Sequence, residues 1–181
     1  MKIFLMRHGQ TDHNKERKIQ GSLINPSLNE KGINQAKEAS TFLKDKNITH
    51  IYSTELIRAK ETAKIINEEL DLNLDIKIDN NFLERNFGSQ LEGMSVDDYY
   101  LLEDFSSYQG YESNEELEER ILNAIDNIKS FHNKEDNILI VAHSHTIKSF
   151  LIKKEILKSY QDPYRNCQII EIDNDTINKI N

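Results

Sequence analysis

The chain has 181 residues, 37% hydrophobic and 30% charged, a mix that suits one globular domain and is too poor in Gly and Pro for a fibrous or low-complexity chain. A formal net charge of −8 opposes non-specific nucleic-acid binding and adsorption to anionic membranes, both of which need a basic field. The single cysteine, Cys167, excludes an intrachain disulfide.

Residues 2–6 read as a short buried strand that runs straight into Arg7, His8 and Gly9. The stretch Met1–Met6 is too short for a secretory h-region, and no run approaches a membrane span, so a cytoplasmic chain without nucleic-acid or membrane partners is expected. A helix follows over about 30–46, with Ile33, Ala36, Ala39 and Leu43 on one face and a soft start at Gly32. Residues 48–53 form a second strand. Leu56, Ala59, Ala63, Ile66 and Leu70 then recur at helical spacing. A weaker strand is expected at 74–78. The next helix carries Leu117, Ile121, Ala124, Ile128 and Phe131, with Glu115 and Glu116 favouring its amino end. Residues 137–142 (NILIVA) form the clearest buried strand, 145–157 the helix after it, and 167–172 a last strand that would bury Cys167. This alternation predicts a single α/β domain over 1–181, a largely parallel sheet with helices on both faces. Residues 93–113 break the pattern. They hold Tyr99, Tyr100, Tyr108, Tyr111 and Phe105, and read as a small inserted cap, helical near 96–102 and held together by its own tyrosines.

In open α/β sheets the ligand crevice lies beyond the carboxyl ends of the strands. That rule gathers Arg7 and His8 from the first strand, Arg58 from the helix after the second, Glu84 after the third and His143 after the fourth. An imidazole can attack phosphorus, arginines match phosphate oxygens bidentately, and a carboxyl group can protonate a leaving alkoxide and then activate water. Phosphoryl transfer asks for such positioning and charge stabilisation. The pair His143 and His145 lacks a Cys, Asp or Glu at ligand spacing, so no metal site is expected there. His13, His50 and His132 read as surface or packing residues.

The stretch Arg7-His8-Gly9-Gln10-Thr11-Asp12-His13-Asn14 resembles the R-H-G-x-T-x-x-N signature of the histidine phosphatase superfamily, which contains the cofactor-dependent phosphoglycerate mutases. The resemblance continues in order. Pro26, Leu28, Gly32, Gln35 and Ala36 form a second segment, Ser53, Arg58, Ala59, Thr62 and Ala63 a third, Leu83, Glu84, Gly88 and Gly93 a fourth, and Val141-Ala142-His143 the second histidine. It implies a phosphoglycerate mutase-like fold with no cofactor and no metal. His8 would attack phosphorus, Arg7, Arg58 and His143 would hold its oxygens, and Glu84 would donate the proton. Asn14, Thr11, Gln20, Gly21 and Ser144 would contact the substrate. Ser144 stands where the family usually has glycine. The implied activity is hydrolysis of small-molecule phosphomonoesters. Sugar phosphates, phosphoserine, ribazole phosphate and phosphoproteins stay open as substrates, with mutase-type transfer, or a non-catalytic phospholigand-binding module, as alternatives. The cap offers Asp97, Asp98, Glu103 and Asp104 but no Lys or Arg, a poor setting for a second anionic group.

Overall fold

In chain order the elements are β1 (Lys2–Arg7), α1 (Asp12–Lys15), α2 (Glu30–Leu43), β2 (His50–Ser53), α3 (Ile57–Glu69), β3 (Ile76–Ile78), α4 (Val96–Tyr99), α5 (Asn114–Phe131), β4 (Asn137–Ala142), α6 (Ser144–Lys153), β5 (Ile169–Asp173) and β6 (Thr176–Lys179). The computed structural model describes residues 1–174 and 176–181. One six-stranded sheet runs in the order β3-β2-β4-β1-β5-β6. The first four strands of that order pair in parallel, and β5 and β6 run antiparallel.

The period of two along β1 and β4 divides the core. Ile3 and Leu5 with Ile138, Ile140 and Ala142 face α5 and α6, where Ile121, Ala124, Ile125, Ile128 and Ile147 complete one cluster. Phe4 and Met6 with Leu139 and Val141 face the other way, against Ala36, Ala39 and Leu43 of α2 and Ala59, Ala63 and Ile66 of α3. A strand buried on both faces reads as a continuous apolar run, which is why NILIVA stands out.

Several boundaries differ from the sequence reading. Helix α2 ends at Leu43, and α6 ends at Lys153, closed by Glu155 in the left-handed region at φ 57°. Cys167 is buried but lies before β5 with φ 55°, its N–H donating to the carbonyl of Arg7 at 3.1 Å. Helix α5 starts with a capping box, Ser113 against Glu116, and α1 with a second one, Thr11 against Asn14. Gly32 is no propensity accident: a Cβ there would collide with the backbone of Gln10, and one on Gly9 would meet the Gly32 carbonyl oxygen at 2.5 Å. The two glycines let α2 press against the loop that follows β1.

Within 93–113 only Val96–Tyr99 is α-helical. A third cluster packs there, built on Ile19, Phe87, Leu91 and Tyr99 with Tyr100, Phe105, Tyr108 and Tyr111 against it. The rings of Phe105 and Tyr111 stack at 4.5 Å. Among the described residues no helix is long and apolar enough to cross a membrane.

Candidate active site

A cavity of about 660 Å³ opens at the carboxyl ends of the parallel strands, and Arg7, His8, Asn14, Gln20, Gly21, Arg58, Glu84 and Ser144 line it. Thr11 and His143 are fully buried just behind them. The predicted residues therefore gather at one rim, most of them on its surface.

His8 is 2% exposed, and its Nδ1 lies 2.7 Å from the carbonyl oxygen of Gly9. A carbonyl can only accept, so Nδ1 carries the proton and the lone pair sits on Nε2. Arg58, fully buried on the first turn of α3, donates from Nε to that Nε2 at 3.3 Å. Burial, then the charges of Arg58 and Arg7, hold the His8 imidazole well below its ordinary pKa, and it is neutral at pH 7.

Arg58 is aimed by the backbone. Its Nη2 donates to the carbonyl of Gly21 at 2.6 Å and its Nη1 to that of Ile24 at 3.0 Å. Burial lowers its pKa to about 10, so it stays cationic. That loop is held in turn by Glu92, whose carboxylate accepts the N–H groups of Ser22 at 3.0 Å and Ile24 at 2.8 Å. Arg7 donates from Nη1 to the carbonyl of Tyr164 at 2.5 Å and keeps a buried Nε without a partner.

His143 ends β4 with its ring 5.2 Å from that of His8. Its Nε2 meets Thr54 Oγ1 at 2.8 Å, and its buried Nδ1 has no partner. Desolvation, reinforced by Arg58, lowers its pKa well below the ordinary value. Glu84 sits on the wall at the amino end of α6, where Oε1 accepts the N–H groups of His145 at 3.0 Å and Thr146 at 3.3 Å. Thr11 Oγ1 donates to Gln20 Oε1 at 2.9 Å, which makes it a support for the wall rather than part of it. Asn14 Oδ1 accepts from Asn166 Nδ2 at 3.1 Å.

The sequence reading missed three cations on this cavity: Arg17, Lys18 and Lys148. They correct the expectation of a poor setting for a second anionic group, because the positive charge comes from outside 93–113. Arg17 pairs with Asp97 at 2.5 Å, and the Lys148 ammonium donates to the Tyr160 carbonyl at 2.8 Å. Burial, then Arg7, brings Lys148 to a pKa of about 8. Its spacing of four from Ser144 on α6 was the available signal. Of the four tyrosines in 93–113, Tyr100 alone lines this cavity. Arg85 points away, donating to Tyr111 Oη at 2.5 Å and Asn114 Oδ1 at 2.7 Å.

Residues 3–180 match the family model described as the histidine phosphatase superfamily (branch 1). The chain is 37% identical over 150 residues to an uncharacterised phosphatase, PhoE, of Bacillus subtilis, an alignment that covers 82% of this chain and 75% of that protein. The solved structure of Bacillus stearothermophilus YhfR superposes with a TM-score of 0.81 at 27% identity, over 98% of this chain and 94% of that one. Phosphoglycerate mutase from Bacillus anthracis superposes with a TM-score of 0.82 at 23% identity, over 99% and 91%, a likeness of fold. Matched by that family model over nearly its whole length, the chain belongs to the histidine phosphatase superfamily.

Proposed function

We propose that this chain hydrolyses small-molecule phosphomonoesters through a phosphohistidine on His8. The observation that carries the reading is the unprotonated Nε2 of His8, its tautomer set by Gly9 and its lone pair turned toward Arg58. The Nε2 lone pair attacks phosphorus as the ester P–O bond breaks, and Glu84 gives its proton to the departing oxygen. The Glu84 carboxylate then takes a proton from water, the hydroxide attacks phosphorus, and the P–N bond breaks to release phosphate. Arg7, Arg58 and His143 stabilise the charge on the transferred oxygens, a task that leaves no role for a metal or cofactor. The unpartnered Nδ1 of His143 and Nε of Arg7 support that assignment. Asn14, Gln20, Gly21 and Ser144 contact the substrate, with Thr11 behind Gln20.

Arg17, Lys18 and Lys148 favour a substrate with a second anionic group beyond the ester phosphate. An acidic surface and the lone Cys167 favour a cytoplasmic enzyme without a nucleic-acid partner. Phosphate release over a panel of metabolite monoesters, with His8→Ala as the blank, tests the proposal. Acid-labile, base-stable label on the wild-type chain after quenching is the expected result, and undiminished release by His8→Ala overturns it.

A further inference from the structure

The opposite end of the sheet, where the parallel strands begin, carries a second group of chemistry-bearing side chains. His50 is the first residue of β2, His132 the residue that closes α5, and Asp136 the residue before β4. One donor atom from each lies within 4.8 Å of the other two. The imidazoles of His50 and His132 meet edge to face at 4.4 Å. Nδ1 of His132 stands 3.3 Å from Asp136 Oδ2, four residues on, in a long hydrogen bond. Two donors bound at about 2.0–2.1 Å around a tetrahedral zinc ion stand about 3.3 Å apart, which is this separation. Nε2 of His132 is held by Tyr52 Oη at 3.0 Å. A ligating histidine is commonly fixed this way through its other ring nitrogen.

We propose that His50, His132 and Asp136 form a binding site for zinc or a similar borderline divalent cation, remote from the phosphoryl-transfer cavity. Imidazole and carboxylate donors suit such ions better than calcium or magnesium, which take oxygen ligands. Three protein donors leave a coordination position for water. Asp136 contributes the one negative charge, and its Oδ2 also accepts the Asn133 N–H at 2.9 Å, so the carboxylate is oriented before any ion arrives. The ion would clip together the start of β2, the end of α5 and the turn into β4. The inference does not depend on the phosphatase reading.

Isothermal titration of zinc into the full chain is the test, against His50→Gln, His132→Gln and Asp136→Asn. The asparagine keeps an acceptor for the Asn133 N–H, so this variant should fold even where a histidine variant does not. Saturable binding of one ion is expected, weakened at least tenfold in each variant, and about 10–100-fold in Tyr52→Phe through the lost support of His132. His13→Gln should bind as the wild type does, and phosphate release should be the same in Asp136→Asn as in the wild type. Absence of saturable binding, or an affinity that neither His132→Gln nor Asp136→Asn moves, overturns the site. Shifts of the His50 and His132 ring signals on zinc addition would locate the ion independently, and shifts confined to His8 and His143 would equally overturn it.

Discussion

At the scale of single residues, three buried imidazoles set the chemistry and its pH limits. His8, His143 and His145 are all held well below the ordinary histidine pKa, first by desolvation and then by neighbouring cations. Below about pH 6.5 the unfolded chain takes up protons that these folded groups refuse. Stability is therefore complete above that pH and falls as the solution is acidified, by up to about 1.4 kcal/mol per pH unit for each histidine. The urea midpoint should drop between pH 7 and pH 5, and His145→Phe should flatten the slope; a midpoint that does not move over this range contradicts the neutral assignment. His8→Ala should cut turnover by several powers of ten with the fold intact, since it removes the covalent route. Glu84→Gln should cost an alkyl phosphate far more than p-nitrophenyl phosphate, whose leaving group departs with little protonation. Equal losses on both substrates would reduce Glu84 to a positioning role.

At the scale of elements, the site depends on close backbone contacts that a pattern of residue types only partly announces. Exposed Gly→Ala changes in a helix usually stabilise by about 0.5–1 kcal/mol. Gly32→Ala in α2 should do the reverse, because its Cβ would strike the backbone of Gln10. A thermal melt in which Gly32→Ala gains stability would sink this account. Glu92 aims Arg58 at one remove, through the 21–24 loop, so Glu92→Ala should lower kcat/KM by about 100-fold, the cost of a misplacement near 1 Å. Glu92→Gln, which keeps one accepting oxygen but turns an amide nitrogen toward the other backbone N–H, should recover only part of it. The strand tips and the Arg58 helix were legible because they rest on periodicity and on residues adjacent in sequence. Arg17, Lys18 and Lys148 were not, because each reaches the cavity through the path of a loop or the facing of one helix turn. Strand β6 was missed since Thr176–Lys179 has only one half-buried position and no apolar alternation. The left-handed Cys167 gives no sequence signal, as cysteine is not a residue that turn chemistry favours.

On the scale of the whole molecule, the two ends of the parallel strands are chemically separate. Chelation with EDTA should leave phosphate release unchanged, whatever ion the far end holds; a loss restored by zinc or magnesium would place a metal in the catalytic step. A phosphoenzyme open to water should be hydrolysed rather than passed back, so interconversion of 2- and 3-phosphoglycerate should be negligible beside phosphate release. Mutase turnover exceeding release would reverse that reading.

The position of β1 has a consequence for the order in which the molecule can be made. Lys2 pairs with Asn137 on one side and with Asp173 on the other, so the strand that leads into the nucleophile is translated well before both strands that flank it. At about 5–20 residues per second, it waits many seconds as an unpaired apolar ribbon. Parallel pairing across such a separation is slow to form, because loop closure precedes any contact that rewards it. The nascent chain thus carries an adhesive segment, Ile3 to Met6, until β4 and β5 have been made, and the arginine–histidine tip acquires its geometry only when those two strands arrive. Catalytic competence should appear as one of the last events of folding, together with protection of the β1 amides from hydrogen exchange.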